Sequence, residues 1–127
     1  MNNKNVHDDL LAKILDRMVE KAAELKIRGV AVVGVYKKEQ SLISMAQVCG
    51  LAFNEGYNMI GIAYAKLAEM CHKLSDSGSH GQPILHGEYG YVGGSIKQVG
   101  QICFVAAFSG GSGPDDLAVS RYGLEIV

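Results

Sequence analysis

Near the end of the chain an apolar run at 101–108 passes directly into Ser109-Gly110-Gly111-Ser112-Gly113, followed by Pro114, Asp115 and Asp116. Glycines let a ligand approach the backbone closely, while the loop amides, Ser109 and the carboxylates supply polar contacts. Pro114 suits the first position of a helix, Ser112 or Gly113 its N-cap, and the two aspartates its first turn. The expected geometry is a buried strand that stops in a tight loop and enters a final helix, a frequent place for small ligands. Such amides could cradle an anion, but three features count against a nucleotide. No Lys-Ser or Lys-Thr follows as a P-loop needs, no second parallel strand remains, and the aspartates already put negative charge at the helix start. A structural turn with helix capping accounts for the loop, and of the possible ligands a neutral or cationic one fits better than a phosphate.

Three histidines, His72, His80 and His86, form a loose series, with His7 distant. Their spacing matches no zinc template. Cys71 and His72 are adjacent on a predicted helix, so their side chains diverge by about 100° and do not share a ligand. A single imidazole can still hold haem iron, because the porphyrin supplies four nitrogens. His86, just before the glycine-rich 87–94 segment, is the preferred candidate, with His72 and His80 next. Tyr89 and Tyr91 alternate, so on a strand they would share one face on which a planar macrocycle could stack. Lys66 sits in an apolar stretch. It either snorkels from a helix edge or faces a ligand as a cation paired with a carboxylate such as Asp116.

No nucleophile, base and orienting group can be assembled: Ser109 has no histidine near it in sequence, and the Gly-x-Ser-x-Gly elbow is absent. The adjacent aspartates at 8–9 and 115–116 read as helix starts. The expectation is binding without catalysis.

Charge is balanced, with 12 Lys and Arg against 13 Asp and Glu and a net charge of −1, so the clustered cations of a nucleic-acid binder are missing. Cys49, Cys71 and Cys103 are odd in number and lie in apolar segments. They read as reduced, buried thiols of a cytoplasmic protein. The polar N-terminus has no signal-peptide core, and no apolar run is long enough to span a bilayer.

The elements that must position these residues follow from periodicity. Val6, Leu10, Leu11, Ile14, Leu15, Met18, Ala22 and Leu25 mark an amphipathic helix over 6–25. The near-continuous apolar run 30–36 is a strand buried on both faces, turning through Lys37 and Lys38 into a second strand at 41–48. A second helix is expected over 54–74, with Gly61 allowing close approach to the sheet. Residues 75–82 read as a flexible loop, and strands follow near 87–92, 95–99 and 101–108 before the last helix. The sum is one domain, 1–127, of the α+β class.

Several of these blocks together resemble the GlcG-like family, which includes HbpS-type haem-binding proteins and the C-terminal domain of PduO-type corrinoid adenosyltransferases. The carriers are Ala31-Val32-Val33, Ile62-Ala63-Tyr64-Ala65-Lys66, Gly93-Gly94, and above all the stretch from Gly100-Gln101-Ile102 through Ser109-Gly110-Gly111 to Asp116 and Gly123. The resemblance implies a profilin-like three-layer α/β/α fold with a five-stranded antiparallel sheet, commonly a homo-oligomer. It implies a cleft lined by Lys66, Gly93, Gly94, Ser109, Gly110, Gly111 and Asp116. The implied ligand is haem or a related tetrapyrrole such as a corrinoid, bound without catalysis. A small-molecule enzyme or accessory subunit in glycolate, diol or glycerol metabolism is one alternative reading, and a structural oligomeric module another. Met59-Ile60-Gly61, Glu69 and Ile96 depart from the family pattern, and no axial haem ligand transfers from it.

Overall fold

The computed structural model describes residues 6–38, 41–79 and 85–127. The first helix, α1, runs Asp8–Glu24, with Asp8 and Asp9 in its first turn, and turns Leu11, Ile14, Leu15, Met18 and Ala22 inward. Strands β1 (Val30–Lys37) and β2 (Ser41–Cys49) follow as an antiparallel pair. After them come a short ladder of β3 (Phe53–Asn54) with β4 (Tyr57–Asn58), helix α2 (Met59–Lys73), strands β5 (Gly94–Val99) and β6 (Ile102–Ser109), and helix α3 (Gly113–Leu124).

The main sheet has four antiparallel strands in the order β2-β1-β6-β5. Alternation along the two central strands divides the core. Ala31, Val33 and Val35 of β1 and Phe104, Ala106 and Phe108 of β6 pack against α1 and α3. Val30, Val32, Val105 and Ala107 face the other way, onto Met59, Ala63, Leu67 and Met70 of α2. Helices therefore cover both faces, which is why β1 and β6 read as unbroken apolar runs. Among the described residues no helix is long and apolar enough to cross a membrane.

Three expectations are corrected. Among the described residues the main sheet has four strands where five were expected, because residues 87–92 form no strand. Gly87 and Gly90 hold φ of 94° and 71°, and the Gly90 N–H donates to the Glu69 carboxylate at 3.1 Å instead of to a neighbouring strand. The second helix starts at Met59, not near residue 54. Glu55 and Gly56, at φ 48° and 87°, make the tight two-residue turn of a hairpin. Asn58 then caps α2 by accepting from the Gly61 N–H at 3.1 Å. Finally, Gly61 does not approach the sheet: the nearest atoms to a Cβ there would be those of the Asn58 side chain, at 3.7 Å and beyond.

The expected flexible loop is tied down where it is described. Asp76 accepts from Ile96 N–H, Ser77 Oγ accepts from Gly94 N–H, and Gly78 N–H donates to Glu69. Its last residues, 80–82, lie outside the described residues. Of the thiols expected to be buried, Cys103 is buried, Cys71 is half-buried and Cys49 is exposed on the edge strand β2.

Candidate functional site

The end of β6 and the start of α3 form as the composition requires. Ser112 caps α3, its Oγ accepting from the Asp115 N–H at 3.3 Å, with Pro114 in the first turn. Gly29 and Gly110 make the loop possible by passing each other without side chains. A Cβ on Gly29 would lie 1.9 Å from the Ser109 carbonyl oxygen, and one on Gly110 would lie 2.2 Å from that of Arg28.

That crossing brings Asp116 inward. Lys66 on α2 and Asp116 on α3 meet at the end of the sheet, where they are 2% and 3% exposed. Lys66 Nζ donates to Asp116 Oδ2 at 3.0 Å and to the Phe108 carbonyl at 2.6 Å. The Gly111 N–H donates to the other carboxylate oxygen at 2.8 Å. Lys66 therefore does not snorkel. Burial pushes its ammonium below the usual lysine range, although Asp116 opposes the shift. Burial likewise raises Asp116 above the usual carboxylate range, against the pull of Lys66 and the Gly111 and Gly110 amides. Both directions favour the neutral forms.

Gly93 explains part of this closeness. Its φ is 135°, and a Cβ there would stand 2.5 Å from Lys66 Nζ and 2.7 Å from the Asp116 Cβ. Its carbonyl accepts from Ser120 Oγ at 2.6 Å, so α3 grips the same residue from the other side.

A cleft of about 490 Å³ opens above the pair. Its lining includes Lys66, Ser109, Gly110, Gly111 and Asp116, five of the seven residues predicted from sequence, together with Met59, Ile62, Tyr57, Tyr91 and Val92. Gly93 packs against the Lys66–Asp116 pair without lining the cleft, and Gly94 packs instead against Met70 and Ser77. The sequence reading missed the β3–β4 hairpin at its rim, for which Asn54-Glu55-Gly56 was the available signal.

Beside this cleft lies a shallower groove of about 510 Å³, sharing Tyr57, Ile62 and Tyr91 with it. Gly61 and Ala65 belong to its lining, as does Tyr89. Tyr89 and Tyr91 do stack, with centroids 5.5 Å apart and planes at 29°, though not on a strand.

The candidate haem ligands fall in different places. His86 is exposed in the turn before Gly87, and His80 lies outside the described residues. His7 packs edge-on against Phe104, away from both grooves. His72 sits on the same α2 stripe as Gly61, Ala65 and Ala68, two turns or about 10 Å along the helix from Ala65. Its Nδ1 is 2.7 Å from Oε2 of the buried Glu88, whose Oε1 accepts from the Leu85 N–H at 3.0 Å. Glu88 directly precedes Tyr89, which lines the tyrosine-walled groove, whereas His72 and Glu88 themselves are not among the lining residues. Burial, with a contribution from Cys103, pushes the Cys71 thiol up to about 12, and burial also raises Cys103, so neither of these two is a ready thiolate ligand.

By sequence, neither a family model nor a curated protein matches the chain. Solved structures do match in shape. A PduOC:haem complex superimposes with a TM-score of 0.68 at 14% identity, covering 98% of this chain and 96% of that one. HbpS gives 0.65 at 17%, covering 100% and 93%, and Klebsiella pneumoniae protein ORFY gives 0.64 at 16%, covering 98% and 94%. The chain has the fold of the GlcG-like proteins. That GlcG-like fold is the frame in which α2 and α3 bring Lys66 to Asp116.

Proposed function

We propose that the chain is a small-ligand-binding member of the GlcG-like family, and that its ligand is haem or a related tetrapyrrole. The fold is shared with a protein solved as a haem complex. The single observation that carries the reading is the contact between His72 Nδ1 and Glu88. A carboxylate that accepts from Nδ1–H fixes the imidazole tautomer and leaves Nε2 as the ligating atom, the arrangement metal-binding histidines favour. The tyrosine-walled groove with its small-residue floor supplies flat apolar surface for a macrocycle. The donor set therefore fits the group. His72 would hold the iron, Glu88 would orient His72, and Tyr57, Tyr89 and Tyr91 would bury the ring's faces. Bound haem would supply an iron with its own four equatorial nitrogens.

His72 takes precedence over His86, because among the described residues His72 alone of the two is seen with a carboxylate on its Nδ1. Titration of the purified protein with haemin should give a red-shifted Soret band that saturates at one equivalent per chain. His72→Ala should weaken binding by at least about tenfold, the range typical of losing a ligand or its support, and change the spectrum, while His86→Ala leaves both unchanged. A native spectrum indistinguishable from free haemin would sink the proposal, and an unaltered spectrum in His72→Ala would remove His72 from it.

A further inference from the structure

We propose that Lys66 is an imine-forming amine that takes the carbonyl carbon of a small uncharged aldehyde or ketone in the inner cleft. This goes beyond the haem reading, since it uses the floor of the 490 Å³ cleft and neither His72 nor Tyr89.

A buried ion pair adds little stability over an apolar pair of the same volume. Packing alone therefore gives no reason for a lysine that is 2% exposed and yet lines a cleft. The surroundings are those of an activated amine. Apolar Met59, Ile62 and Val92 share the cleft with it, and desolvation favours the uncharged, nucleophilic form. Asp116 Oδ2, at 3.0 Å, is placed to receive the proton that the ammonium must lose, and the Phe108 carbonyl at 2.6 Å holds a remaining N–H. The Gly111 N–H on Oδ1 fixes the carboxylate so that Oδ2 faces the amine. Apart from the Lys66–Asp116 pair, the charged side chain of the lining is Glu55, so among the described residues the cleft offers an anionic substrate no free cation.

The step balances without a further reagent. Asp116 takes one proton from the Lys66 ammonium, and the freed lone pair attacks the carbonyl carbon while the C=O π pair moves to oxygen. A second amine proton passes to that oxygen, giving a neutral carbinolamine. Asp116 then returns its proton to the carbinolamine hydroxyl, the C–O bond breaks, water leaves, and the nitrogen lone pair closes the C=N bond. The products are a protonated imine, one water and the aspartate carboxylate. No electron is gained or lost.

The test uses the native full chain with no haem present. Incubation with propionaldehyde and sodium cyanoborohydride near neutral pH reduces any imine to a stable propyl-lysine, located by peptide mass mapping. Lys66 is expected to be alkylated at least about tenfold faster than the exposed Lys13 and Lys97, as a depressed amine pKa requires. Asp116→Asn should slow alkylation of Lys66 and leave Lys13 and Lys97 unchanged. Alkylation of Lys13 and Lys97 with Lys66 unmodified in the native protein overturns the proposal, and it does so whether or not haemin binds.

Discussion

Gly110→Ala and Gly29→Ala should each destabilise the protein by more than about 3 kcal/mol, beyond the usual range for a single added methyl group. Neither clash can be relieved by rotating a side chain. The new Cβ would meet a main-chain carbonyl at 2.2 Å in one case and 1.9 Å in the other, at the point where Val30 pairs with Ser109. Relief requires β1 and β6 to separate where the cleft begins. Gly61→Ala provides the contrast. It adds a methyl whose nearest neighbour is 3.7 Å away on a helix, so it should raise stability by up to about 1 kcal/mol. Urea unfolding followed by circular dichroism checks all three. Unfolding midpoints for Gly29→Ala and Gly110→Ala close to native would show that the crossing is looser than described.

Asp116→Leu should cost about 3–5 kcal/mol, because it strands the Lys66 amine among buried groups. The double variant Lys66→Met with Asp116→Leu should recover most of that loss, since an apolar pair replaces the charged one without leaving an orphan. A pH series separates this from simple repacking. Asp116 is raised above its unfolded value of 3.8, so the folded state holds its proton more tightly. Stability relative to the double variant should then fall as pH climbs from about 3.8 through the folded value. Lys66 is lowered below 10.5, so the unfolded state binds more protons between its folded value and 10.5. Across that upper window relative stability should rise again with pH. A difference that stays flat across both windows would mean that burial does not penalise the pair's charges.

How far the sequence carried these conclusions varies by element. Helix α1, strands β1 and β6, and the capped start of α3 were legible because each follows from a local signal: a helical stripe, an unbroken apolar run, a Ser-Gly-Pro-Asp cap. Asp116 and Lys66 were legible as candidates, but their burial was not. It depends on Gly29 and Gly110 crossing, and on Gly93 holding φ 135° against the pair. Those are contacts between segments far apart in the chain. Residues 87–92 misled because Tyr89 and Tyr91 alternate as a strand would, while Glu69, buried at 1% exposure, draws the Gly78 and Gly90 amides away from any ladder. Glu69 was noticed only as a departure from the family pattern. Its role as a clamp between two loops carries no local sequence signal. The hairpin at 53–58 was hidden by helix-compatible residues, although the Glu55-Gly56 turn was there to be found.

Hydrogen–deuterium exchange of the native chain, with and without saturating haemin, locates the ligand most directly. Protection gained on binding should concentrate in residues 57–72 and 88–92, the α2 stripe and the tyrosine segment that faces it, with α1 unchanged. Protection centred instead on residues 7–24, or spread evenly over the chain, would contradict a tetrapyrrole held by His72 beside Glu88.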